Sequence, residues 1–314
     1  MASVAIIGRG QLGTSVGEIL RANGTHDVFG PFSRGDAEQG AMSGADVVVI
    51  ATTTRLDDVA AHVEAAVSNG SNVLVTAEEA ADPWIVDATI AARLDALARE
   101  RGVSICGAGV NPGLIFDALV LTLLGTTDGL VDIIVHRTVD ISRFGPSVLR
   151  RIGIGLDVQE FEEGVRAGAV LGHAGFPQSM SVVAKALGIA IDRVDRRLAP
   201  IVGAKDSALN NGMCIRAGQT VGVDQTYTAI VADRPWYSAS FVGHTDPTAA
   251  GLDPADVIEL WRDGKVERTF TAAPGIDAQQ GSQNMVANSV DRILSAAPGW
   301  LSVARLPPSV PRQT

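Results

Sequence analysis

The sequence predicts an α/β chain in which a doubly wound parallel sheet is followed by an α+β domain with a largely antiparallel sheet. Three observations carry this. Up to about residue 130, short continuous apolar runs alternate with segments of helical periodicity. From there to about residue 272 the strand-like stretches are longer and alternate apolar with polar residues, and near residue 279 a helical pattern returns. Continuous apolar strands between helices suit a parallel sheet covered on both faces, whereas alternation with hairpin turns suits antiparallel pairing.

Taken in order, the first part reads as strands at 4–7, 26–32, 47–52, 72–76 and 103–106, with helices at 11–23, 56–68, 83–101 and 112–124. Gly24, Gly70, Gly102 and Gly125 stand where helix C-caps belong. Asp82-Pro83 and Asn111-Pro112 read as an N-cap followed by proline at the first helical position. The second part reads as strands at 131–139, 189–201, 213–217, 219–232 and 236–244, then a hairpin from 257–261 through Asp263-Gly264 to 265–271. Helices are expected at 158–167 and 178–187. A last helix at 279–294 puts Met285, Val286, Ser289, Val290, Ile293 and Leu294 on one face, to return over the first domain. The expected division is 1–130, completed by 275–314, with 131–274 inserted as a substrate domain.

Composition narrows the function. At 314 residues, 46% hydrophobic and 19% charged, the chain can fill two moderate cores. No run of about 18 uncharged apolar residues is present, so a membrane partner is not expected. No basic region precedes the first apolar run and Cys106 and Cys214 are the only thiols, which fits a reducing cytoplasm. A net charge of −10 opposes a nucleic-acid partner. His26, His62, His136 and His244 are scattered and form no metal spacing, so no metal is expected. G-x-S-x-G and H-E-x-x-H are absent, which leaves hydrolase and metalloprotease chemistry without support.

Gly8-Arg9-Gly10-Gln11-Leu12-Gly13 follows the first apolar strand and opens a helix. In this G-x-G-x-x-G spacing the first glycine turns the chain, the second lets backbone touch a pyrophosphate, and the third lets helix pack on strand. The first domain is therefore expected to be a Rossmann-type dinucleotide-binding domain. An NAD site normally carries Asp or Glu at the end of the second strand for the ribose 2′-hydroxyl. Here that strand ends in Ser33-Arg34, a hydroxyl and a guanidinium suited to a 2′-phosphate, and Arg9 could approach the same group. NADP(H) is accordingly favoured over NAD(H).

In an open parallel sheet the ligand lies beyond the carboxyl ends of the strands. Those ends carry Ala51, Thr52 and Thr53, suited to lie along the cofactor or equally to serve only as the loop that starts the next helix, then Thr76-Ala77-Glu78-Glu79, then Gly107-Ala108-Gly109-Val110-Asn111-Pro112-Gly113. A carboxylate of the Glu78, Glu79 pair could move a proton or stabilise a cation formed during hydride transfer; it could equally serve a helix dipole. Asn111-Pro112-Gly113 is a cap-and-turn that would also aim helix N–H groups at a ligand. His173 lies in the Gly172-His173-Ala174-Gly175 turn, either as a structural hydrogen-bonder or facing a cleft. Lys185 falls opposite the Met180, Val183, Ala184 face of its helix and is expected to be solvated, a poor Schiff-base candidate.

Together the glycine loop, Val75-Thr76-Ala77-Glu78-Glu79, the 107–113 turn, His136-Arg137-Thr138-Val139-Asp140, Ile152-Gly153-Ile154-Gly155-Leu156, and Gly172-His173-Ala174-Gly175 with Ser179 resemble the 2,4-diaminopentanoate dehydrogenases and their relatives, the native amine dehydrogenases. The resemblance implies a dihydrodipicolinate-reductase-like architecture, a homodimer, and a nicotinamide-dependent interconversion of an amine with a ketone or aldehyde plus ammonia. It implies that a glutamate of the Glu78-Glu79 turn, Glu78 first and Glu79 as substitute, is the catalytic carboxylate. Asn111 to Gly113 would lie beside the nicotinamide, and the stretch holding Thr138 and His173 would wall the pocket for a small-molecule amine or carbonyl substrate. Dihydrodipicolinate reductase itself is disfavoured, because its His-His-x-x-x-Lys run is absent. Two other readings keep the glycine loop: an NADPH-dependent reductase of a carbonyl or preformed imine, and a non-catalytic NADP-binding sensor.

Overall fold

The computed structural model describes residues 1–311, and Arg34 through its backbone alone. The chain forms two compact units: one of Met1–Thr122, Gln178–Gly188 and the segment from Gln279 onward, and one of Leu123–Pro177 and Ile189–Ala278. The first therefore includes a helix, 178–188, that an uninterrupted 131–274 insert does not anticipate.

The first unit is built on β1 (Ala2–Ile7), α1 (Gln11–Asn23), β2 (His26–Phe32), α2 (Ala37–Ala41), β3 (Val47–Ile50), α3 (Leu56–Ser68), β4 (Asn72–Val75), α4 (Ala88–Arg101) and β5 (Ser104–Gly107). The strands form a parallel sheet in the order β14-β5-β4-β3-β1-β2, where β14 (Gly299–Leu301) comes from the chain's last part and pairs with β5. β1 sends its connection to β2 on one side and the chain returns to β3 on the other, so the switch point lies at the carboxyl ends of β1 and β3. Alternate strand residues feed two cores. Ile7, Val48, Ile50, Val73 and Val75 pack with α2, α3 and α4, whereas Val4, Ile6, Val47, Val49 and Leu74 pack with Val16 and Leu20 of α1 and with Val286, Val290 and Ile293 of the C-terminal helix. Burial on both faces explains why these strands are continuous β-branched runs.

Two expected helix starts are displaced. The helix placed at 83 opens there only as a 3₁₀ turn, Pro83–Ile85, with Asp82 at its N-cap position but no capping side-chain bond; the α-helix begins at Ala88, where the Asp87 carboxylate accepts the N–H groups of Thr89 and Ile90 at 2.8 and 2.9 Å. The helix placed at 112 is α5 (Ala118–Leu124), preceded by turns from 111 to 117. Gly113 there has φ +130°, outside any right-handed helix, so Asn111-Pro112 is a turn and not a helix cap.

The second unit contains β6 (Asp132–Asp140), α6 (Pro146–Ile152) and α7 (Val158–Arg166), the latter opened by a capping box between Asp157 and Glu160. α8 (Phe176–Leu187) leads into β7 (Arg193–Val202), β8 (Ser207–Ala208), β9 (Cys214–Ile215), β10 (Thr220–Val231), β11 (Arg234–His244), β12 (Ala255–Arg262) and β13 (Lys265–Ala272). β8 and β9 form a small ribbon, and the other six strands form a sheet in the order β13-β12-β6-β11-β10-β7. All its pairs are antiparallel except β6 with β11, which makes it mixed, largely antiparallel as expected. The expected strand at 189–201 begins only at Arg193, and the one at 213–217 shrinks to two residues. The final helix is α9 (Ala278–Leu294). Among the described residues no helix is long and apolar enough to cross a membrane.

Candidate active site

The glycine loop is shaped by close backbone approaches. A Cβ on Gly8, whose φ is +120°, would stand 2.1 Å from the Ala51 carbonyl oxygen, and a Cβ on Gly13 would stand 2.1 Å from that of Gly8. Only glycine permits either. Gly10 has open space where its Cβ would be, and it precedes α1, which starts with no capping side chain and no acid in its first turn. The exposed N-terminal N–H groups and dipole of such a helix favour an anion. Gln11 is hydrogen-bonded to Gln279 of α9 at 3.0 Å.

At the end of β2, the Arg9 Nε donates to the Pro31 carbonyl at 3.0 Å, which holds the guanidinium beside that strand's carboxyl end. Ser33 donates its hydroxyl to Asp36 at 2.6 Å within a short 3₁₀ turn. The Arg34 side chain lies outside the described residues. After β3, the half-buried Ala51 and Thr52 follow the strand end, and Thr53 donates to Asp58 of α3 at 3.0 Å.

A pocket of about 110 Å³ opens at the carboxyl ends of β4 and β5, lined by Leu12, Thr76, Ala77, Glu78, Ala81, the 107–112 turn with Asn111 and Pro112, and Ser282 of α9. Gly113, beyond the lining, closes that turn against Gly109. The two glutamates part here. Glu78 lines the pocket, whereas the Glu79 Oε2 accepts the N–H of Leu56 at 2.7 Å, at the start of α3.

The Glu78–Ala81 turn is fixed from several sides. The Glu79 N–H donates to the Thr54 carbonyl at 3.3 Å, and the Trp300 indole of β14 donates to the Ala80 carbonyl at 3.0 Å. A Cβ at Gly107 would lie 2.7 Å from the Ala81 nitrogen, so glycine lets the turn sit directly on β5. Asp82, immediately after the turn and 3% exposed at its side chain, receives the Lys185 ammonium on both oxygens at 2.6 and 2.7 Å. Lys185 is half-exposed and lies 5.5 Å from the Trp84 ring centroid; its expected solvated face ends in this ion pair.

Asp117 supports the other wall. It is fully buried, and its Oδ2 accepts the Gly113 N–H at 2.9 Å and the Ser179 hydroxyl at 2.7 Å, while Oδ1 accepts the Ala118 N–H at 2.6 Å. Burial raises its carboxyl above the ordinary range against the pull of these three donors. Burial also pushes the neighbouring Cys106 thiol up to about 12, with the Asp117 charge adding to it, so this thiol is inert.

In the second unit, the backbone N–H and C=O of His173 pair with the Gln225 side-chain amide at 2.7 and 3.0 Å. The ring lies 4.9 Å from that of Phe241 and 5.5 Å from that of Phe176, with Nδ1 2.6 Å from the Ala174 carbonyl. Burial lowers this imidazole to about 4, leaving it neutral at pH 7. Thr138 shares a face of β6 with His136, which is bonded to Ser240, whereas Phe241 stands opposite Arg137 on the other face. The fold thus puts Thr138 and His173 on opposite sides of the sheet and does not bring them together.

Asp117, Asp82 with Lys185, Trp300 and Ser282 were not legible as site residues. Only Asp117 gave a signal, as a lone acid in the apolar stretch Leu114-Ile115-Phe116-Asp117-Ala118-Leu119. Among the described residues no three His, Cys, Asp or Glu side chains are grouped to hold a metal.

A family model described as the 2,4-diaminopentanoate dehydrogenase C-terminal domain matches residues 114–313. The chain is 30% identical over 320 residues to a 2,4-diaminopentanoate dehydrogenase from Acetoanaerobium sticklandii, covering 98% of this chain and 86% of that protein. Its fold is similar to that of an amine dehydrogenase from Mycobacterium smegmatis, with a TM-score of 0.83 at 19% identity, covering 100% of this chain and 98% of the other. The chain belongs to the 2,4-diaminopentanoate dehydrogenase family, and is thereby an oxidoreductase acting on an amine-bearing carbon.

Proposed function

We propose that the pocket beside Glu78 is where a primary amine is oxidised to an imine, or a ketone or aldehyde is reductively aminated with ammonia, with NADP(H) as the redox partner. The observation that carries this reading is the separation of the two acids. Glu78 lines a pocket at the carboxyl ends of β4 and β5, the rim where ligands of doubly wound sheets bind, while Glu79 is spent on α3. The nucleotide's fit is supported by the open space at Gly10, the uncapped start of α1, and the Gly8 and Gly13 contacts that shape the loop.

Gly8 to Gly13 would hold the pyrophosphate, with Ala51, Thr52 and Thr53 along the nucleotide and Asn111, Pro112 and Gly113 beside the nicotinamide. When bound, that nicotinamide supplies a hydride acceptor or donor. The protein supplies the rest. The Glu78 carboxylate attracts the substrate ammonium, takes a proton from its nitrogen before oxidation and passes it to solvent, and, once more an anion, offsets the positive charge of the iminium formed as hydride leaves. In the amination direction it returns a proton to nitrogen. The preference for NADP(H) is supported by Arg9, anchored at the end of β2, near which a dinucleotide's ribose would lie, and by Arg34 next to Ser33 in sequence. Residues 131–274, without the 178–188 helix, are read as the substrate and dimerisation part of a cytoplasmic homodimer, with Thr138 and His173, on opposite faces of its sheet, as alternative substrate-side candidates.

The test is NADP+ reduction by the full chain against a panel of primary amines and diamines, with NAD+ in parallel. Turnover that Glu78→Gln lowers by about 10² or more, with nucleotide affinity kept, is the expected result. Ketone reduction that proceeds equally without ammonium would move the reading to a carbonyl reductase. Nucleotide binding with no turnover on any amine or carbonyl would make it a sensor.

A further inference from the structure

Two buried carboxylates in the first unit have no part in the chemistry above, yet each ends a loop that lines the Glu78 pocket. Asp82 follows the Glu78–Ala81 turn and Asp117 follows the 107–113 turn. Both are held by the same helix. Ser179 of α8 donates to Asp117, and Lys185 of α8 binds both oxygens of Asp82. The two side chains are six residues apart, roughly 9 Å along a helix axis at 1.5 Å per residue, so one rigid rod reaches both loops.

We propose that α8 is the positioning element of the pocket. Through Ser179–Asp117 it fixes the wall carrying Asn111 and Pro112, and through Lys185–Asp82 it fixes the turn carrying Glu78. The proposal rests on the reading of the Glu78 pocket as the site of amine chemistry.

The chemistry of each anchor fits this role. At φ +130° Gly113 cannot enter a helix, so its N–H needs a partner outside the backbone ladder, and Asp117 supplies it. A carboxylate accepts at both oxygens, and here Oδ2 serves Gly113 and Ser179 while Oδ1 serves Ala118. An asparagine would turn an N–H₂ toward one of these donors. Removing the Ser179 hydroxyl leaves Oδ2 with Gly113 alone and frees the carboxylate from α8. On the other side, the Lys185 ammonium lies over Trp84, and Trp84 in turn meets edge-on, at 6.4 Å, the Trp300 ring whose indole N–H holds Ala80. A loss at Lys185 therefore passes directly to the Glu78 turn.

A merely stabilising role lowers the melting temperature and leaves turnover per folded molecule alone. A positioning role lowers kcat more than it raises KM, because reacting groups misplaced by about an ångström lose on the order of 10²-fold in rate. The experiment uses the full chain as wild type, Ser179→Ala, Ser179→Thr and Lys185→Met, with NADP+ and the best amine of the panel. Amide exchange of the 76–84 and 107–117 segments is followed in parallel. Ser179→Ala and Lys185→Met should each lower kcat by about tenfold or more while changing KM by less than about threefold. Exchange should quicken at 107–117 in the first variant and at 76–84 in the second, and Ser179→Thr should restore both readouts. Quickened exchange with unchanged kcat overturns the positioning role and leaves a structural one. Unchanged exchange overturns the anchors themselves. Wild type that binds nucleotide but turns over no amine overturns the reading of the pocket and this role with it.

Discussion

The Glu79 Oε2 accepts the N–H of Leu56 at 2.7 Å, so of two adjacent glutamates one is committed to the start of α3 while the other lines the pocket. Arg55, the residue before α3, provides no capping side chain, and Glu79 takes that place from 23 residues away. Glu79→Ala should therefore cost about 1 kcal/mol in denaturant unfolding, as for loss of a cap, and leave kcat/KM for the amine within about threefold. Glu78→Gln should instead lower kcat by about 10² or more with nucleotide affinity kept. The inverted pattern would give Glu79 the chemical role.

The three loop glycines separate space from conformation. Gly8→Ala and Gly13→Ala both place a methyl 2.1 Å from a carbonyl oxygen, and Gly8 adds a φ of +120°. Each should destabilise by more than about 3 kcal/mol or fail to fold, since backbone must move. Gly10→Ala meets nothing within 4 Å. It should unfold within about 0.5 kcal/mol of wild type while losing about tenfold or more in nucleotide affinity, measured by titration calorimetry, because the methyl occupies the space a phosphate needs. Unchanged affinity in Gly10→Ala would place the nucleotide elsewhere.

Arg9 tests the cofactor preference. Its Nε is held by the Pro31 carbonyl, leaving the guanidinium against the end of β2. If it meets a 2′-phosphate, Arg9→Ala should weaken NADP+ by about tenfold or more, the worth of a charge-assisted hydrogen bond, and NAD+ by less than about threefold. Equal losses for both nucleotides would mean that Arg9 meets the shared pyrophosphate.

Local signals carried the first domain well. The runs at Val47-Val48-Val49-Ile50 and Asn72-Val73-Leu74-Val75 are buried on both faces, and α1 and α3 end where periodicity and glycine say they end. Failures came where a side chain from elsewhere in the sequence overrides a local rule. Asp82-Pro83 has the form of a helix start, but Lys185, 103 residues on, claims the carboxylate. Asn111-Pro112 has the same form, but Gly113 and Asp117 build a turn instead. β14 was missed because three residues, Gly299-Trp300-Leu301, carry no period, and only pairing with β5 makes them a strand. The acid pair was legible as a candidate; which acid faces the pocket depended on Leu56, far away in sequence.

His173 gives stability a pH signature. Its folded-state imidazole is lowered to about 4 by burial, against about 6.5 in an unfolded chain. The unfolded state therefore binds the proton more readily, so this contribution is complete above pH 6.5 and is lost progressively as pH falls from 6.5 toward 4. His244 is also lowered by burial and acts in the same direction. Between pH 7.5 and pH 4.5 His173→Gln should lose about 2 kcal/mol less than wild type in urea-unfolding free energy. Parallel curves would show that the folded imidazole takes up a proton freely.

Arg137 and Asp256 form a buried ion pair in the second unit, 1% exposed each. Burial lowers the guanidinium below its ordinary range while the Asp256 charge opposes the shift, so the pair is held at a desolvation cost. Hydrophobic replacement of such a pair is often neutral when charge pairing is all it does. Here it also holds backbone. Arg137 donates to the Ile276 carbonyl at 2.6 Å and Asp256 accepts the Ile276 N–H at 2.8 Å, fixing the segment that leads into α9. Asp256→Asn should cost about 3 kcal/mol or more, since it removes the Asp256 charge that offsets the desolvation of a buried guanidinium. The Arg137→Met, Asp256→Leu double variant should recover part of this but stay about 1–2 kcal/mol below wild type, because Ile276 loses both partners. Its amides at 273–277 should exchange faster than those of β6 and β12. A double variant as stable as wild type, with 273–277 still protected, would reduce the pair to a replaceable charge contact.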